Sequence, residues 1–238
     1  MKAKILAITG MTALVALASC NEDLVTYKQN DIRVQVSKGD AWLHDFPFLL
    51  GTNQKNPPQI AIWVEDLTGN YITTIYVSHK IATESWQGSG NNRRKESLPV
   101  WCHARGIKYP DGLYLPTKDE PLADGISGAT PHGNLDVKMR PVGDLKQFVM
   151  KIELNHSTDW NNNYPEDAKE EDANYSGDSG QPAIVYSAEI DLDSSRKQYT
   201  ATIIGHSSPD GNNGNICPDT SALTSALNIA KEITINIQ

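Results

Sequence analysis

The run Asp124-Gly125-Ile126-Ser127-Gly128-Ala129-Thr130, followed by Pro131, puts two hydroxyls and a carboxylate in a stretch with almost no side-chain bulk. Glycine tolerates positive φ and lets a second molecule come close to the backbone, so the spacing predicts a tight turn. Such a turn leaves the hydroxyls of Ser127 and Thr130 exposed, with the Asp124 carboxylate close in sequence. In the plainer reading of the same residues, Asp124 and Ser127 hydrogen-bond only the local backbone.

The segment resembles the Asp-x-x-Ser-Gly-Ala-Thr signature at which extracytoplasmic flavin transferases attach flavin mononucleotide (FMN) through a phosphoester to the final Thr. It is also similar to the equivalent turn of an envelope family, domain of unknown function 2271. Three features carry that second resemblance: Ile60-Ala61-Ile62-Trp63-Val64-Glu65-Asp66, then Arg93-Arg94 with Trp101, then the turn itself, in the family's order over residues 58–155. The resemblance implies a non-catalytic protein serving extracytoplasmic flavin-linked redox or iron systems. Thr130, Ser127 and Asp124 would be the cofactor-binding residues, Thr130 the FMN acceptor, and a flavin transferase or membrane reductase the partner.

Other constellations carry less. Gly177-Asp178-Ser179-Gly180 mimics the nucleophile segment of trypsin-like proteases. Gln181 stands where a further Gly is expected, and no Ala-Ala-His-Cys-like segment precedes it, so a loop is predicted and no catalytic residue assigned. His44, His79, His103, His132, His156 and His206 fall in no His-x-x-x-His or Cys-x-x-Cys frame, so no metal ligand is assigned. His156 and His206 close strands and could meet near His132, although structural histidines are commoner. Glu166, Asp167, Glu170, Glu171 and Asp172 lack the spacing of a calcium loop, as do Asp210 to Asn215 with Asp219. Trp160 lies in a polar loop and is the better surface aromatic; Trp63 belongs in a core. Trp160 motivates the alternative function, a cell-surface glycan- or protein-binding module.

The N-terminus sets the compartment. Lys2 and Lys4, the apolar run Ile5 to Ala16, and Leu17-Ala18-Ser19-Cys20 form a lipoprotein signal over residues 1–19 with Cys20 as the lipidated residue. Residues 20–30 form a tether, and Asn21-Glu22-Asp23 resembles a surface-export signal. The expectation is an outer-membrane lipoprotein facing the periplasm or the cell surface, held to the membrane through Cys20. Cleavage takes the formal charge from −8 to −10, and no basic run exceeds Arg93-Arg94-Lys95, which argues against nucleic acid. Cys102 and Cys217 would then lie in an oxidising compartment, either joined as a disulfide or as two free buried thiols.

These residues need a scaffold, and the patterning predicts one. Asp31–Ser37, Gln59–Asp66, Tyr71–His79, residues 135–139, 148–154, 184–192, Tyr199–Gly205 and 233–237 read as strands. Gln59–Asp66 is apolar on both faces and should be central. Residues 38–57 read as irregular, Leu98–His103 as a short strand, and Asp219 or Thr220 to Lys231 as a short C-terminal helix. The expected fold is mainly β: one antiparallel, immunoglobulin-like β-sandwich domain over 31–238 with long loops. No β-α-β rhythm supports a nucleotide-binding fold.

Overall fold

The computed structural model describes residues 31–47, 53–86, 92–123 and 125–238. Alternating apolar residues build two sheets. The first has four antiparallel strands: β1 (Ile32–Lys38), β7 (Leu135–Met139), β10 (Gln198–Thr200) and β12 (Ala230–Ile237), in the order β10-β12-β1-β7. The second has six: β4 (Gln59–Glu65), β5 (Tyr71–Ser78), β6 (Ile126–Gly128), β8 (Gln147–Asn155), β9 (Ile184–Asp191) and β11 (Thr202–His206), in the order β11-β9-β8-β4-β5-β6. A separate hairpin, β2 (His44–Pro47) with β3 (Asn53–Asn56), occupies part of the stretch expected to be irregular.

The two sheets enclose one core. Ile32, Val34 and Val36 face Ile60, Ile62, Phe148, Met150, Ile152 and Leu154 across it, all of them almost fully buried. Sheet-on-sheet burial with period-2 alternation is what makes this a sandwich. The chain β10–β11 crosses between the sheets at Ala201, so the strand expected over Tyr199–Gly205 is two strands in two sheets.

A second core explains why β4 is apolar on both faces. Ala61, Trp63, Val77 and Val185 point away from the sandwich and are covered by α1 (His79–Thr83), α2 (Pro99–Arg105) and Leu115. Helix α2 replaces the strand expected at 98–103. Pro99 stands in its first turn and Gly106, at φ 70°, ends it in the left-handed conformation, so the sequence carried a start and a stop signal. Glu153 of β8 supplies the missing N-cap: its two carboxyl oxygens accept the amides of Val100 (3.1 Å) and Trp101 (2.8 Å).

The expected C-terminal helix is absent. Residues 219–229 form turns with a single 3-10 turn at Ser225–Asn228, and β12 begins at Ala230. Long-range partners hold this backbone out of a helix. The Gln181 side chain accepts the Thr224 amide at 2.6 Å, and the Asn161 and Asn163 side chains both donate to the Ala222 carbonyl at 3.0 Å. No helix among the described residues is long and apolar enough to cross a membrane.

Candidate functional site

The Ser-Gly-Ala-Thr stretch is not a free turn. Ile126–Gly128 is the edge strand β6, parallel to β5, with Tyr76 opposite Ile126, Val77 opposite Ser127 and Ser78 opposite Gly128. A parallel partner cannot be reached by a hairpin, so this pairing closes over the whole 79–125 excursion. After β6 the chain leaves the six-stranded sheet and enters β7 of the other one, so residues 129–134 run along the rim of the sandwich. Two long-range bonds fix that crossing: the Trp42 indole donates to the Pro131 carbonyl (3.0 Å), and the Lys38 amide to the Asn134 side chain (3.0 Å).

At this rim Ser127 is exposed and Thr130 half-exposed. The Thr130 hydroxyl lies 3.0 Å from the Ser78 hydroxyl, which in turn accepts the buried Ile60 amide at 2.7 Å. The Tyr76 hydroxyl donates to the Gly128 carbonyl at 2.9 Å. Burial raises the Tyr76 phenol above its ordinary range, against a weaker opposing pull from the Thr130 hydroxyl, so it keeps its proton at neutral pH. Tyr76 therefore acts as a donor here and not as a base toward Thr130. Asp124 lies outside the described residues.

The two glycines of the stretch differ. A Cβ at Gly125 would come within 2.9 Å of the Leu122 side-chain tip and 3.0 Å of Thr74 on β5, so a side chain there would have to displace them. A Cβ at Gly128 would meet nothing nearer than the Tyr76 ring at 3.5 Å, an ordinary contact, and Gly128 is not at positive φ. Nothing inside the fold demands a glycine beside Thr130. Sequence reasoning missed Tyr76 and Ser78, because no local pattern announces a parallel pairing between segments fifty residues apart.

The other candidates scatter. Cys102 is buried in the second core and Cys217 is exposed; both are free, so the disulfide is not formed. Burial pushes the Cys102 thiol far above its ordinary range. Ser179 is fully buried and donates to the Asn155 side chain at 2.9 Å, which ties down the polar loop after β8 and presents no nucleophile.

His156, His206 and His132, which could have met, each have separate surroundings, as the structural reading had it. His156 is buried, 2.8 Å from the Ala41 carbonyl, and its ring lies 5.4 Å from that of His44. Burial, then the neighbouring His44, lowers it to about 4. His206 bonds the Ser207 carbonyl, and His132 is exposed. No group of three His, Cys, Asp or Glu among the described residues is arranged to hold a metal ion.

Trp63 is fully buried, its indole donating to Glu65 at 2.7 Å, while the Lys151 ammonium meets the other Glu65 oxygen at 2.7 Å. Trp101 is buried as well, and Trp160 is half-exposed. Residues 20 and 21–23, on which the lipidation and export readings rest, lie outside the described residues. The chain matches no protein-family model, no curated protein and no solved structure.

Proposed function

We propose that the chain is a lipid-anchored protein of the bacterial envelope that presents Thr130 as an acceptor for FMN and is itself not a catalyst. The observation carrying this reading is the pairing at the rim of the sandwich. Thr130 is partly exposed with its hydroxyl 3.0 Å from that of Ser78, and two residues before it stands a glycine whose lack of a side chain the interior does not require. A bulk-free approach from outside accounts for that glycine. Thr130 suits an acceptor: its hydroxyl is held in place by Ser78, the residue is partly exposed, and the exposed Ser127 and Ala129 leave the approach uncluttered.

Attachment is a phosphoryl transfer. The Thr130 oxygen forms a bond to the flavin-side phosphorus of flavin adenine dinucleotide, the pyrophosphate bond breaks, and adenosine monophosphate departs. Tyr76 keeps its own proton, so removal of the hydroxyl proton falls to a group outside this pair, the Asp124 carboxylate or a base of the transferase. Once bound, the isoalloxazine would supply one- and two-electron redox chemistry, which fits an accessory to extracytoplasmic redox or iron systems. Ser78 fixes the oxygen, and the Trp42–Pro131 bond fixes the backbone after it.

The test is co-expression of the full chain with an extracytoplasmic flavin transferase, followed by in-gel flavin fluorescence under denaturing conditions. A fluorescent band that disappears in Thr130→Ala supports the reading. A dark wild-type band, or fluorescence that survives the substitution, removes it.

A further inference from the structure

A second feature is unrelated to Thr130. The loops carrying residues 92–96, 170–177 and 210–212 border an open cleft of about 560 Å³ on the side of the second core. That volume lies within the range of small-molecule sites.

Its walls are held in place before any ligand arrives. The Asp178 amide donates to Glu96 at 3.0 Å, and the Arg94 guanidinium donates to the Asp178 carbonyl at 2.9 Å. Gly177 and Gly211 both adopt positive φ (52° and 67°) and press on the 94–96 segment. A Cβ on Gly177 would lie 2.8 Å from the Glu96 carboxyl, and one on Gly211 would lie 2.4 Å from the Lys95 carbonyl. Arg94 and Glu96 are themselves almost fully buried, and the Arg94 Nε has no hydrogen-bond partner. Burying such groups is costly unless something meets them.

The charges of the lining cancel. Arg93, Arg94 and Lys95 oppose Glu96, Glu170 and Asp210. Arg93 is already committed to Glu84 and Asp111, and Arg94 to Glu96 at 3.9 Å. Lys95 donates one N–H to the Asn212 side chain, and Asp210 accepts from the same Asn212, so what remains for a ligand is the rest of the Lys95 ammonium, the Glu170 carboxylate and the half-exposed ring of Tyr175. A balanced wall of this kind does not select a net charge. It offers paired donors and acceptors to adjacent hydroxyls and one flat face to a pyranose ring.

We propose that this cleft binds a neutral carbohydrate of one or two hexose units, with Tyr175 stacking on the sugar and Lys95 and Glu170 bonding its hydroxyls. The site is separate from the flavin acceptor, so either reading can fail without the other.

The experiment is isothermal titration calorimetry of the full chain against neutral probes: glucose, galactose, mannose, N-acetylglucosamine, maltose and cellobiose. Glucuronate and glucose 6-phosphate serve as charged comparators. Saturable binding of at least one neutral sugar is expected, weakened about tenfold or more in both Tyr175→Ala and Lys95→Ala and unchanged in Thr130→Ala. Circular dichroism and urea unfolding of both cleft variants verify that they fold. No saturable heat with any neutral probe, binding confined to the charged comparators, or binding unaffected by either cleft substitution in a folded variant would each overturn the proposal.

Discussion

Glu153 ties the six-stranded sheet to the layer that covers it, and its ionisation should be visible in stability. The side chain is fully buried, and desolvation raises its carboxyl to about 8, against the opposing pull of the Trp101 and Val100 amides and of Lys151. The unfolded chain has an ordinary Glu, so between the ordinary value and about 8 the folded state keeps a proton that the unfolded state has lost. Stability from this group is full at low pH and is lost as pH rises through about 8. His156 works in the opposite sense. Its folded value of about 4 lies below the ordinary one, so its contribution grows as pH rises towards about 6.5 and is constant above that.

The two slopes oppose each other in mildly acidic solution, and the Glu153 slope stands alone above about pH 6.5. From there to about pH 8.5 it amounts to about 2 kcal/mol at ~1.4 kcal/mol per pH unit, levelling off past the midpoint. Glu96, also raised by burial, adds in the same direction, so the measurement is best made as a difference. Urea unfolding followed by fluorescence of the buried Trp63 and Trp101 gives ΔG for wild type and Glu153→Gln across this range. The variant should be destabilised by about 1–3 kcal/mol at pH 6.5, because its amide leaves one helix N–H unmet. That difference should shrink by about 2 kcal/mol as pH rises. A difference that stays constant with pH would refute the reasoning.

The two glycines of the rim should respond differently to alanine. Gly125→Ala should cost about 1–3 kcal/mol in chemical unfolding, since its Cβ meets Leu122 and Thr74, whereas Gly128→Ala should change stability by less than about 0.5 kcal/mol and lower only flavin incorporation. Ser78→Ala should cost about 1–3 kcal/mol, because it leaves the buried Ile60 amide without its acceptor; an unchanged unfolding midpoint would contradict that bond. Thiol labelling with peptide mapping should mark Cys217 in the native protein and Cys102 only after unfolding. Equal labelling of the two would contradict the burial of Cys102.

Strands whose faces differ in polarity were legible in the sequence. Ile32, Val34 and Val36 alternate with polar residues and pair as expected, and Ile233, Ile235 and Ile237 do the same opposite them. The double-sided apolarity of β4 correctly placed it inside a sheet. What covered its second face was not legible, because α2 is short and its N-cap comes from Glu153, more than fifty residues away. Leu223, Leu227 and Ala230 have helical spacing, yet Gln181, Asn161 and Asn163 take up the backbone groups a helix would use. Distant polar side chains there override a local propensity. The candidate acceptor was legible as a motif, whereas its setting on a parallel edge strand, with Ser78 and Tyr76 behind it, depends on contacts no local pattern encodes.

The most direct measurement is the intact mass of the full chain after co-expression with an extracytoplasmic flavin transferase, followed by tandem mass spectrometry of the peptide that contains residues 124–131. The account predicts a gain equal to one FMN less one water, located on Thr130 and missing from Thr130→Ala. An unmodified mass in the presence of an active transferase, or the same gain located on Ser127 or elsewhere, would contradict it.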